Sequence, residues 1–149
     1  MSDTSTFRLD DFLPYLMSVS TNAVSDAVAA TYRTSHDLRT TEWRLIAVLA
    51  EDGALTPQAI GLRTRMDKVN VSRAALTLVE RGLLRRTPNP LDQRSHLLCL
   101  TQAGQNVHSE VVPQALAVQS RIFDSFSDAE RQTLRQLLAR AQLAAASDI

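Results

Sequence analysis

A single cysteine, Cys99, excludes an intramolecular disulfide and suits a reducing compartment. With only four glycines and five prolines among 149 residues, and with Ala, Leu, Arg and Gln abundant, the chain reads as mainly α-helical. No stretch approaches the roughly 18 consecutive apolar residues of a membrane span. The opening MSDTSTFRLDD has neither a basic run nor an apolar one, so no signal peptide is expected. These absences lead to the expectation of a soluble, cytoplasmic protein. No nucleophile–base–acid set and no glycine-rich phosphate loop is present, so the chain is not expected to be an enzyme. His36, His96 and His108 are scattered without ligand spacing, and neither a metal nor a cofactor is expected. Cys99 lies in an apolar run, where a buried inert thiol is the expectation and a redox sensor the alternative.

What is present centres on Met66 to Thr101, MDKVNVSRAALTLVERGLLRRTPNPLDQRSHLLCLT. Asp67 is a good N-cap residue, and Val69, Arg73, Leu76 and Val79/Glu80 recur behind it at helical spacing as far as Arg81. Gly82 supplies a left-handed residue to end that helix, with apolar Leu83 following. LLRRTP and SHLLCLT then read as two strands, joined by the turn-rich NPLDQRS. A helix followed at once by a hairpin with an arginine at its tip predicts a winged helix.

The formal net charge of zero hides an asymmetry. Between Gly61 and Arg94, Arg63, Arg65, Lys68, Arg73, Arg81, Arg85, Arg86 and Arg94 stand against Asp67, Glu80 and Asp92, a net of +5 that leaves −5 for the rest. A basic module in an acidic chain is the footprint expected for phosphate contact. A merely solvated charged face is the alternative.

Upstream, Leu9, Phe12, Leu13, Leu16, Val19, Ala23, Ala27 and Ala30 form a helical stripe from Leu9 to about Tyr32, with Pro14 in its first turns. Thr31 to Thr40 is polar and reads as a loop holding His36. Thr40 or Thr41 is expected to cap the next helix, with Trp43, Ile46, Ala47 and Leu49/Ala50 inward and Gly53 as its stop. Thr56-Pro57 starts a short helix to about Arg63, with Ala59, Ile60 and Leu62 on its apolar side. Two helices joined by a tight turn, the second polar near its start, make a helix-turn-helix. Beyond the hairpin, Thr101–Gly104 opens a helix carrying Val107, Val111, Ala115, Leu116, Val118 and Ile122/Phe123, which Pro113 is expected to bend. Ser127-Asp128-Ala129-Glu130 is a capping box for a last helix with a seam of Leu134, Leu137, Leu138, Ala141 and Ala145.

The terminal helices carry more apolar stripe than the central module can cover, which points to pairing between two chains. The expected architecture is a mainly α fold: a winged helix-turn-helix module with a short β-hairpin wing, flanked by long N- and C-terminal dimerisation helices. Residues 1–35 and 102–149 make the dimerisation region and 36–101 the DNA-binding module of a single intertwined domain. A monomer with all helices folded onto one core is the alternative.

The order of LRTTEWRLIAVLAEDGALTPQAI, MDKVNVSRAALTLVERGLL and RRTPNPLDQRSHLLCLTQAG resembles the MarR family of bacterial transcriptional regulators. The most specific pieces are Thr41-Glu42-Trp43, the Asp67-Lys68 helix ending in Glu80-Arg81-Gly82-Leu83, and Asp92-x-Arg94 ahead of Leu100-Thr101-x-x-Gly104. The resemblance covers Leu38 to Gly104. It implies a homodimeric repressor of a (pseudo)palindromic operator, released by a small-molecule effector, aromatic compounds included. Its partners would be double-stranded DNA, a second copy and that effector. The competing reading is a helical dimer that binds a protein partner or a hydrophobic ligand and has no specific DNA role.

Carried onto this sequence, the family's DNA contacts fall on Lys68, Val69, Asn70, Ser72, Arg73 and, at the wing, Arg94. The residue chemistry agrees: Asn70 can pair with adenine, Val69 can touch a thymine methyl, and Arg73 can take guanine or phosphate. Arg94 suits a narrow minor groove, Asp92 can orient it, and Thr56 with its helix-start amides can hold a phosphate. An ion pair between Arg73 and Asp92 is the competing structural role. Two departures from the family pattern stand out. Gln93 replaces the first of two wing arginines common in relatives, and Arg65 stands where many have glycine or a small residue. The family's effector crevice implies Tyr15, His36, Trp43 and Arg44 as lining residues.

Overall fold

The computed structural model describes residues 6–147. Its elements are a 3-10 turn at Leu9–Asp11, then α1 (Leu13–His36), α2 (Thr40–Asp52), α3 (Pro57–Thr64) and α4 (Lys68–Glu80). The strands β1 (Leu84–Pro88) and β2 (His96–Leu100) follow, and then α5 (Gln102–Ile122) and α6 (Asp128–Ser147). The chain divides into two compact units, 1–115 and 116–149.

In the first unit, α2, α3 and α4 pack on one another and on the hairpin. Their core holds Leu45, Ile46, Val48 and Leu49 of α2, Ile60 of α3, and Val71, Ala74, Ala75 and Leu78 of α4. Leu84 and Leu98 close it from the strands and Val111 from α5. β1 and β2 pair antiparallel in the register Leu84↔Leu100 to Pro88↔His96. A third, one-residue strand completes the wing: Leu55 and Leu98 exchange two backbone hydrogen bonds, of 2.8 and 3.2 Å.

Several expectations from sequence are corrected. The first helix begins at Leu13, not Leu9, because Pro14 sits in the first turn and Phe12 is the extended N-cap residue. It also runs on to His36 through the stretch expected to be loop. Nothing in TYRTSH breaks a helix, Tyr32 is buried, and Arg33 and His36 suit the negative end of the helix dipole. The helix stops only where Asp37 turns left-handed, with φ 50°. Neither Thr40 nor Thr41 caps α2. Arg39 holds the N-cap position, and its amide is satisfied by the Glu42 side chain at 3.3 Å. Thr40 instead accepts a 3.0 Å hydrogen bond from the Tyr32 hydroxyl. Leu45 and Val48 join the inward face of α2, whereas Ala50 is exposed. Leu62 is not on the inner side of α3; it is 77% exposed.

Two joints needed glycine. Gly82 takes φ 72° after α4, which lets the Leu83 amide reach back to the Leu78 carbonyl at 2.9 Å. At the start of α5, the Gly104 amide binds the Thr101 hydroxyl at 3.1 Å, and that hydroxyl donates to the Gly82 carbonyl at 2.6 Å. A Cβ on Gly104 would collide with the Leu83 carbonyl oxygen.

α5 is continuous through Pro113, which offers no N–H to the Ser109 carbonyl. In the second unit the capping box is complete: the Ser127 amide donates to Glu130 at 2.9 Å and the Glu130 amide to Ser127 at 3.1 Å. Arg131 donates to the Phe123 carbonyl at 2.7 Å, which ties the start of α6 to the end of α5.

Gly104→Ala should cost about 1–3 kcal/mol, since the clash is with backbone and not with a side chain that can swing away. Urea denaturation checks it: the midpoint should fall with the slope unchanged.

Candidate nucleic-acid interface

The edge of α4 that the core leaves outside is set by the residues the core takes in. Val71, Ala74, Ala75 and Leu78 are buried, so Lys68, Val69, Asn70, Ser72 and Arg73 are all exposed, at the N-terminal half of the helix. The helix start is braced from within. Asp67 accepts the Asn70 backbone amide at 2.8 Å and the Asn70 side-chain amide at 2.7 Å. The backbone bond from Asn70 is the main reason the Asp67 carboxyl is held below its ordinary value of 3.8. Only the NH2 end of Asn70 can face a carboxylate, so its orientation is fixed. One N–H and the carbonyl remain, the pair needed to meet an adenine edge.

Thr56 caps α3 as expected, its hydroxyl accepting from the Ala59 amide at 3.1 Å. Pro57 has no N–H and the Ile60 amide is on the Thr56 carbonyl at 3.0 Å. The donors left there for a phosphate are the Gln58 amide and the Thr56 hydroxyl hydrogen. At the wing tip, Arg94 and Asp92 are exposed. Asp92 accepts the backbone amide of Arg94 at 2.9 Å, so it shapes the turn beneath Arg94 and does not grip its guanidinium. Asn89 braces the same tip, accepting the Leu91 amide at 3.1 Å and donating to Ser95 at 3.3 Å. Arg73 and Asp92 form no ion pair among the described residues.

The basic patch is smaller than a count of charges suggests. Arg63 pairs with Glu51 at 3.2 Å and with Asp52 at 3.1 Å. Arg81 donates to the backbone carbonyls of His36 and Asp37 at 2.6 and 3.0 Å. Arg65, Lys68, Arg73, Arg85, Arg86 and Arg94 remain exposed and in no ion pair among the described residues.

Comparison with known proteins gives this geometry a family. A family model described as MarR family matches residues 36–95. An uncharacterized protein of Mycobacterium tuberculosis is 33% identical over 98 residues, which are 66% of this chain and 68% of that one. The crystal structure of a MarR-family transcriptional regulator from Silicibacter pomeroyi superposes with a TM-score of 0.76 at 28% identity, covering 90% of each chain. BpsR of Bordetella bronchiseptica shares the fold, with a TM-score of 0.80 at 24% identity over 93% of this chain and 98% of that one. The chain belongs to the MarR family. It is a DNA-binding transcriptional regulator with the winged helix-turn-helix fold.

In this MarR chain the four candidate effector residues do not form one cluster. Trp43 is half-buried and stacked between two rings, Tyr32 and His108, each with its centroid 5.7 Å away. His36 Nε2 meets Glu110 Oε2 at 3.2 Å beside α5. Arg44 is exposed on the next residue of α2. Tyr15 lies 17 residues before Tyr32 on α1, which is about 25 Å along the helix. Tyr32, His108 and Glu110 were not singled out from sequence as lining residues. His108 and Glu110 lie on α5 beside Val107 and Val111, and a helical wheel of α5 would have drawn attention to them. Cys99 is only half-buried, 3.7 Å from the Thr87 hydroxyl.

Arg65 occupies a left-handed position, φ 56°, in the turn between α3 and α4, which is why glycine suits that place. Arg65→Gly should raise stability by up to about 1 kcal/mol, the relieved strain less the extra entropy of the unfolded chain. Thermal melts check that, and anisotropy should show weaker DNA binding for want of the cation. Asp67 has a lowered pKa, so its contribution is complete above 3.8 and is lost as pH falls below that value. The stability gap between wild type and Asp67→Ala should therefore be present at pH 7 and shrink below pH 3.8. Urea midpoints across that range read it directly.

Proposed function

We propose that the protein is a homodimeric repressor of a (pseudo)palindromic operator and that a small molecule releases it. The observation that carries the DNA part is the joint exposure of the α4 edge and the wing-tip arginine. Lys68, Val69, Asn70, Ser72 and Arg73 present two cations, an amide and a methyl-bearing surface along one helix edge, while Arg94 projects from a braced turn. That combination suits major-groove reading by the helix and minor-groove insertion by the wing. Thr56 would hold a phosphate beside it, and Asp92 would keep Arg94 projected.

The dimer part is supported by apolar residues left outside in a single chain. Leu9, Phe12, Leu13, Leu16, Met17 and Val19 are all at least 40% exposed along one end of α1 and the turn before it. Leu137, Leu138 and Leu143 are exposed on α6. A soluble monomer rarely leaves so much contiguous apolar surface uncovered. We assign residues 1–35 and 102–149 to the pairing and 36–101 to the DNA module.

For the effector, the exposed edge of the Tyr32–Trp43–His108 stack, with His36 at the same helix end, would receive a flat apolar molecule. Arg44 would pair with an acidic group on it. Tyr15 would contribute only from the second protomer. BpsR has its DNA binding regulated by 6-hydroxynicotinic acid, a flat aromatic compound, which favours the same chemistry here.

The test is fluorescence anisotropy on a duplex from upstream of the protein's own gene, against a scrambled duplex, at several salt concentrations. Wild type should bind the specific duplex in the nanomolar range. The Arg73→Ala/Arg94→Ala double variant should bind it at least about tenfold more weakly for each arginine replaced. Its salt dependence should flatten by about 0.9 for each phosphate that it no longer neutralises. Equal, weak binding to both duplexes that the substitutions leave unchanged would remove the DNA site and favour the partner-binding dimer.

A further inference from the structure

The C-terminal ends of α1 and α4 meet at one side chain. At the end of α1, the Asp37 amide returns to the Arg33 carbonyl at 3.1 Å and the Leu38 amide to the Tyr32 carbonyl at 3.2 Å. That closure leaves the carbonyls of His36 and Asp37 to be satisfied from outside the helix, at the negative end of its dipole. Arg81 satisfies both, through Nη2 to the His36 carbonyl at 2.6 Å and Nη1 to the Asp37 carbonyl at 3.0 Å. The backbone of Arg81 is itself the C-cap of α4, its amide on the Thr77 carbonyl at 3.0 Å. Gly82 and Leu83 lock that cap through the bond from the Leu83 amide to the Leu78 carbonyl. His36 is held a second time, by Glu110 of α5.

We infer that Arg81 is a positioning residue that fixes the direction of α4 relative to α1, and so the separation of the two recognition helices on an operator. This rests on the operator-binding dimer proposed above. Ala29, Tyr32 and the Tyr32–Thr40 hydrogen bond hold α1 through the core and to α2. The Arg81 fork is the polar link from α1 directly to α4. Two parallel N–H groups on a planar guanidinium fix an orientation, which one ammonium cannot do. Leverage makes the orientation matter. α1 has 24 residues and is about 36 Å long, so a slack of about 10° at this end moves the far end by about 6 Å. That is close to two base-pair steps of about 3.4 Å. If α1 carries the dimer contacts, such slack would blur the half-site spacing that two rigidly held helices select.

The experiment uses a duplex selected by the wild-type protein from a random-sequence pool, in three forms: as selected, with two base pairs inserted at its centre, and cut to one half-site. Wild type, Arg81→Ala and Arg81→Lys are titrated on each. Wild type should prefer the selected spacing over the lengthened one by at least about thirtyfold, the advantage of simultaneous engagement. Both variants should lose most of that preference while their half-site affinity stays within about twofold of wild type. Retained charge makes the lysine variant decisive, and it also serves if the alanine variant fails to fold. The inference is overturned if the variants keep the spacing preference, if lysine restores it, or if half-site and palindrome affinities fall together. A wild type that binds half-site and palindrome alike would instead remove the operator-binding dimer, and this inference with it.

Discussion

The burial of a narrow, small-residue face of α4 governs the rest of the site. Val71, Ala74, Ala75 and Leu78 sit in the core against α2 and α3, and the two alanines allow close approach of the helix axes. Rotating α4 by one residue, about 100°, would drive Ser72 or Arg73 into that core at a desolvation cost of several kcal/mol. The rotation of the helix is therefore fixed by packing. Which side chains can touch a base edge then follows without any contribution from the polar residues themselves.

Three of the helix ends around the site are finished by side chains, and those side chains brace it. Thr56 caps α3, Asp67 caps α4 and orients Asn70, and Arg81 closes the end of α1 from the end of α4. This bracing uses up charge: Arg63 and Arg81 are engaged within the chain. What remains is a smaller set of free cations, with Arg94 held out on a turn that Asn89 and Asp92 brace through backbone amides. The net charge of zero is thus no obstacle to nucleic-acid binding, because field strength at an interface depends on where the free charges stand.

Much of the module was legible in the sequence because its signals are local. Thr56-Pro57, Asp67, Gly82 and the Ser127–Glu130 box each act within four residues, and each does in the structure what its residue type implies. The hairpin could be placed from its turn residues alone. Misreadings arose where distant contacts decided the outcome. Polarity in TYRTSH suggested a loop, yet the helix continues because Tyr32 reaches the core and Arg81, 45 residues on, stabilises the end at His36. Leu62 fits an apolar helical pattern and is nonetheless exposed. The one-residue strand at Leu55 carries no sequence pattern, since two backbone hydrogen bonds define it. The α4 positions of Lys68, Val69, Asn70, Ser72 and Arg73, proposed as DNA contacts, could be read from sequence, but the engagement of Arg63 and Arg81 in folding contacts could not.

The central claim is that α4 enters the major groove while the wing enters the minor groove. Dimethyl sulfate protection on a bound operator fragment tests it most directly, because guanine is methylated at N7 in the major groove and adenine at N3 in the minor groove. Two clusters of protected N7 positions should appear about one helical turn apart, with protected N3 positions beside them. N7 reactivity unchanged across the whole of a bound fragment would contradict it.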